Sequence, residues 1–166
     1  MSAVLGSCGS YARRLPMVHW TWKARNMSDT PAAITRFLSA WTARDPQLAA
    51  AEVTDTVVLV DPNERHEGRD ALVVHLEQVL RRFDFQSTAI EHCVVDGDPL
   101  GDAQVAFILR VKMTGRSSRL AGVVSGFDAG VFVTLVGAKI DRYTEFWDPT
   151  PMAAALSGAA TSAAKE

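Results

Sequence analysis

The apolar residues of this 166-residue chain change their period once, at Phe83, and that change limits the folds open to it. Before Phe83 they recur every three or four residues, as on one helix face; after it they alternate, as on one strand face. Ala33, Ile34, Phe37, Leu38 and Trp41 predict a first helix, led by Thr30 as cap and Pro31 at its first position. Asp45-Pro46 ends it and opens a second, with Asp45 as cap and residues 47–53 as body. Leu72, Val73, Leu76, Val79, Leu80 and Phe83 mark a third. Between the second and third, residues 56–60 form a β-branched strand that Asp61-Pro62 ends, followed by a polar loop over 63–68. Past Phe83, strands are expected over 86–95, 103–113, about 119–136 (with an irregularity at 127–130) and 140–147. Helices first and antiparallel strands afterwards specify an α+β fold, a cone-shaped curved antiparallel sheet packed against three N-terminal helices and enclosing one pocket.

Charge and composition remove several function classes. The net charge of −2 supplies no basic field to recruit nucleic acid or an anionic membrane. Residues 1–26 hold Arg13, Arg14, Lys23 and Arg25 and no acid, and Met27-Ser28-Asp29-Thr30-Pro31 reads as a fresh start. Residues 1–26 are therefore expected to be a basic extension, disordered or not native, with 27–150 as the domain and 151–166 as a flexible Ala-rich tail. No apolar run approaches the ~20 residues of a membrane span. Tyr11, Arg13 and Arg14 interrupt the apolar stretch that a signal peptide would need. Cys8 and Cys93 make no disulfide framework, which predicts a reduced, cytoplasmic setting. His, Asp and Glu show no ligand spacing, and nucleotide loops and Gly-x-Ser-x-Gly are absent, so no metal and no cofactor are expected.

Five segments in order carry a family likeness: Arg44-Asp45-Pro46, Val60-Asp61-Pro62, Glu67-Gly68-Arg69-Asp70-Ala71, Gly137-Ala138-Lys139-Ile140, and Glu145-Phe146-Trp147-Asp148-Pro149. Over residues 30–150 the chain resembles the nuclear-transport-factor-2-like superfamily of ketosteroid isomerases and SnoaL-like cyclases, with limonene-epoxide hydrolases as relatives. The resemblance implies the cone fold, a hydrophobic small-molecule ligand, and a homodimer formed through the outer sheet face. Val105, Phe107, Leu109 and Val111 would supply the apolar patch of that face. It leaves function open, because the fold hosts catalysts and binding modules alike.

Residues must then be weighed singly. Asp61 falls where the resemblance places the isomerase general base; a poorly solvated carboxylate there would suit proton abstraction, and a turn-capping Asp is the alternative. The isomerases' oxyanion donors are missing, since Phe37 stands for their tyrosine and Gly130-Val131 for their second acid. Glu145 lies where the resemblance places a functional acid on the last strand, and alternation puts it on one face with Tyr143 and Trp147. If that face lines the cavity it is an aromatic-flanked acid, and an exposed Glu on an edge strand is the alternative. Arg110 shares a strand face with Lys112, so the epoxide hydrolases' acid–arginine–acid relay is incomplete, although Arg110 could pair with Glu145 or a substrate oxygen. His92 is a candidate proton shuttle, His66 could reach the pocket mouth, and His75 reads as a helix-flank residue. Phe37, Trp41, Met113, Phe127, Tyr143 and Trp147 are the expected pocket walls, or alternatively core. The expectation is a cofactor-independent cyclase or isomerase acting on a hydrophobic carbonyl or polyketide-like substrate. A non-catalytic binding or assembly module and an epoxide hydrolase are the alternatives.

Overall fold

The computed structural model describes residues 30–116, 121–150 and 153–154. The expected extension at 1–26, Cys8 and nearly all of the tail at 151–166 lie outside the described residues. Helix α1 (Ala32–Ala43) buries Ala33, Ile34, Phe37, Leu38 and Ala40 along one side. It starts one residue later than the sequence suggests: Pro31, not Thr30, is its N-cap, with no side-chain cap bond. Arg44 closes it in the left-handed region at φ 60, and the turn delivers Asp45 as the cap of α2 (Pro46–Ala51). There Asp45 accepts hydrogen bonds from the Gln47 and Leu48 amides, satisfying donors that a helix start leaves unpaired.

The chain becomes extended sooner than expected, in β1 (Val53–Val60). The segment read as a loop contains a short strand, β2 (Arg65–Glu67), hairpinned onto β1 with His66 opposite Leu59. Helix α3 (Arg69–Arg82) follows, then β3 (Phe83–Gly97), β4 (Ala103–Gly115), β5 (Val124–Val136) and β6 (Lys139–Phe146). The six strands make one curved, unclosed sheet in the order β2-β1-β6-β5-β4-β3. Every neighbouring pair is antiparallel except β1 and β6, which run parallel. The sheet is thus mixed rather than wholly antiparallel. No tight turn joins β1 to β6, so hairpin geometry does not dictate their relative direction. Register shifts interrupt β3 against β4 between Phe85 and Ser87 and between Glu91 and Val94, and β5 against β6 between Thr134 and Leu135. β5 keeps an unbroken register with β4 through residues 127–130.

One apolar core joins the helices to the inner sheet face. Val105, Phe107, Leu109 and Val111 belong to it, each 4% exposed or less. This corrects the outer patch assigned to them: their side of β4 faces the helices, and Arg110 and Lys112 are on the solvent side. The exposed sheet face instead carries Phe132 and Phe146, 55% and 60% exposed, with their rings edge-on at 6.1 Å. Among the described residues no helix is long and apolar enough to cross a membrane.

Candidate active site

A cavity of about 360 Å³ opens between α1, α3 and the curved sheet. Each element contributes through its local periodicity. Trp41 comes from the last turn of α1, Met113 and Phe127 from inward positions of β4 and β5, and Trp147 from just past β6. Trp41 packs edge-on against Phe85 at 4.9 Å, and Phe127 stacks on Trp147 at 4.8 Å, giving flat apolar walls. Helix α3 presents His75, Gln78 and Arg82, spaced to share one helical face.

Glu145 is the buried acid of the cavity. Inward alternation on β6 leaves it 9% exposed, and it lines the cavity. Burial raises its pKa from the ordinary 4.5 to about 7, the negative charge of Asp61 pushes the same way, and bonds from Trp147 and Tyr143 oppose the rise. The Trp147 Nε1–H donates to Glu145 Oε1 at 3.1 Å. The Tyr143 hydroxyl is buried beside this carboxyl without full hydrogen-bond geometry, and burial lifts its own pKa well above 10.0. A carboxyl poised near neutrality can both take and return a proton at physiological pH.

Asp61 takes the turn role considered for it, and it also reaches the cavity. Its Oδ1 accepts from the Asn63 and Glu64 amides at 2.6 and 2.8 Å, as a turn residue does. It also lines the cavity and acts electrostatically on Glu145 and His75.

The structure does not bring every expected residue to the cavity. Arg110 lies on the solvent side of β4, where it bonds Asp128 at 3.0 Å and Glu91 at 2.9 Å, and so does not pair with Glu145. His92 is exposed at a β3 register shift, with φ 53, and is absent from the cavity lining. Phe37 and Tyr143 are 1% exposed and support the pocket from behind, with their rings 5.2 Å apart.

Other residues were missed by sequence reasoning. His75 is 8% exposed and faces the cavity, not the helix flank. Burial and neighbouring His66 hold its pKa below the ordinary 6.5, against the pull of Asp61 and Glu64. The spacing of His75, Gln78 and Arg82 would have pointed to a shared polar stripe on α3. Glu64, His66 and His75 also gather, with ligand atoms within 4.8 Å of one another. The expectation that no such group clusters at ligand distance fails here, because the approach is made across β2 and α3 rather than along one element.

Residues 34–150 match the sequence profile described as the SnoaL-like domain. Three solved structures illustrate the likeness. A candidate polyketide cyclase from Xanthomonas campestris is 16% identical with a TM-score of 0.62, covering 75% of this chain and 93% of that one. An LEH-like epoxide hydrolase from M. tuberculosis is 15% identical with a TM-score of 0.62, covering 82% and 96%. A protein of ketosteroid isomerase-like fold from Catenulispora acidiphila, in complex with trimethylamine, is 14% identical with a TM-score of 0.66, covering 77% and 94%. At these identities the likeness shows the fold. No curated protein sequence matches the chain closely enough to count as a relative.

Proposed function

The chain belongs to the SnoaL-like domain family, and from that premise we propose that its cavity performs cyclase- or isomerase-type proton transfer on a hydrophobic carbonyl or polyketide-like substrate, with Glu145 as proton carrier. The observation that carries this reading is a buried carboxyl on an apolar-walled cavity with a pKa of about 7. Ionised Glu145 takes a proton from the carbon next to the carbonyl, and the electron pair passes to the carbonyl oxygen. The same carboxyl then returns the proton at the bond-forming or isomerised position. Arg82 on the cavity wall provides a positive charge for the developing oxyanion, the part once considered for Arg110. Trp41, Phe127 and Trp147 orient a flat substrate and exclude water. An epoxide hydrolase is less well supported, since Arg110 and its acidic partners face solvent.

The direct experiment is to identify small molecules released from the purified protein by mass spectrometry, for wild type and Glu145→Gln in parallel. A carbonyl compound that wild type converts and the variant only retains supports the reading. A compound held unchanged by both identifies a binding module instead. Asp61→Asn supplies a second check. Removing its negative charge lowers the Glu145 pKa, so the acid limb of the kcat/KM profile is expected to move acidward. An unmoved limb would separate Asp61 from the proton carrier.

The setting we propose is a cytoplasmic homodimer, packed through the sheet face that exposes Phe132 and Phe146. Light scattering should then give a wild-type mass of about twice 18.0 kDa and a single-chain mass for Phe132→Glu. A single-chain wild-type mass at micromolar concentration disproves the dimer.

A further inference from the structure

The turn after β1, strand β2 and the second turn of α3 converge on one side of the cavity. There His66 Nε2 lies 3.1 Å and His75 Nδ1 3.6 Å from the same oxygen, Glu64 Oε2. The two imidazole rings lie tilted at 34° with centroids 4.0 Å apart. We propose that Glu64, His66 and His75 form a binding site for one divalent transition-metal ion, with Zn²⁺ the cation that suits them best.

The donor set is the first reason. Two imidazole nitrogens and one carboxylate oxygen suit a borderline cation, whereas Ca²⁺ and Mg²⁺ ask for six or more oxygens. Spacing is the second. Bonds of about 2.0–2.2 Å around a tetrahedral ion separate ligand atoms by roughly 3.3 Å, and the observed 3.1 and 3.6 Å fall on either side of that value. Direction is the third. His66 Nε2 is inaccessible to solvent and makes no hydrogen bond, although a carboxylate oxygen stands 3.1 Å away. The two atoms are close without being aligned, as two ligands are when both point at an ion between them. A hydrogen-bonded Glu–His pair would instead place the oxygen on the ring's N–H axis.

The three ligands are also held in place before any ion arrives. His66 is paired into the sheet opposite Leu59, and His75 is 8% exposed on the inner side of α3. Glu64 is fixed through its backbone, whose amide donates to Asp61 Oδ1 and whose carbonyl accepts from the Asp61 amide. Asp61 adds a further negative charge in reach of His75. Glu64 and His75 both line the cavity, so the fourth coordination position is filled from it, by water or by an oxygen of a bound molecule. The inference stands apart from the role of Glu145, because it concerns binding and not turnover.

The test uses the full chain without a purification tag, stripped by a chelator and titrated with ZnCl₂ by calorimetry and with CoCl₂ by visible absorption. One ion per chain is expected, with the d–d bands of four-coordinate Co²⁺. Glu64→Gln alters an exposed side chain and should fold normally, and His66→Ala, a partly buried position, is checked by circular dichroism; each should weaken binding at least about tenfold. His75→Ala should do the same, with circular dichroism to show that its buried position tolerates the change. Absence of binding at millimolar metal overturns the proposal. So does binding that Glu64→Gln and His66→Ala leave intact, which would locate the ion elsewhere in the chain.

Discussion

Glu145→Gln is expected to lower turnover about 10²–10⁴-fold while making the protein more stable at alkaline pH. The first effect follows from removing the group that carries the proton and leaving its shape. The second follows from linkage. The folded carboxyl titrates at about 7 and its unfolded counterpart near 4.5, so between those values the folded chain binds more protons than the unfolded one. Stability contributed by the protonated form is complete below about pH 4.5 and is lost as pH rises through 7. Full ionisation then costs on the order of 3 kcal/mol. Glutamine cannot ionise, so the variant should unfold at higher urea than wild type at pH 8.5, with the difference narrowing steadily towards pH 4.5. Urea melts at pH 8.5 and about pH 4.5, run beside the turnover assay, check both parts. Full turnover in the variant would reduce Glu145 to a buried acid without a catalytic part. An identical pH dependence of stability would show that its pKa is not raised.

Phe37→Ala is expected to destabilise the fold by about 3–5 kcal/mol, a large share of the 5–15 kcal/mol typical of a domain. Phe37 is 1% exposed and lies between Trp41, at 6.3 Å, and Tyr143, at 5.2 Å. Its loss opens a void that neither ring can fill, since α1 and β6 hold both in place. Thermal unfolding should fall by roughly 10 °C. Trp41 would also lose its support, so ligand affinity should weaken in whatever fraction remains folded. A shift below about 1 kcal/mol would mean that the site collapses freely and that Phe37 does not buttress the pocket.

The order of elements was legible before the structure because it rests on short-range signals. The 3- and 4-residue spacing from Ala33 to Trp41, Asp45 as a cap and the alternation around Glu145 each act within a few residues. They were enough for the α+β cone and for grouping Glu145 with Tyr143 and Trp147 on one face of β6. They also located Asp61 at the end of β1, where chain direction alone carries a side chain to the rim.

What failed depended on long-range pairing. Strand alternation divides β4 into two faces but cannot say which one the helices cover, and Val105–Val111 and Arg110 were assigned accordingly to the wrong sides. The irregularity expected at 127–130 is absent from the β4–β5 pairing, and register shifts fall instead at Phe85–Ser87 and Glu91–Val94 of β3 and at Thr134–Leu135 of β5, because register is settled between partner strands. Local propensity and period placed the three helices, the longer strands and the grouping of Glu145 with Tyr143 and Trp147 on one face of β6, since both act within a few residues. Only the tertiary structure decided the parallel join of β1 to β6, the raised pKa of Glu145 and the meeting of Glu64 and His66 with His75. Desolvation and ligand geometry depend on distances between elements, and the chain acquires those distances only when it packs.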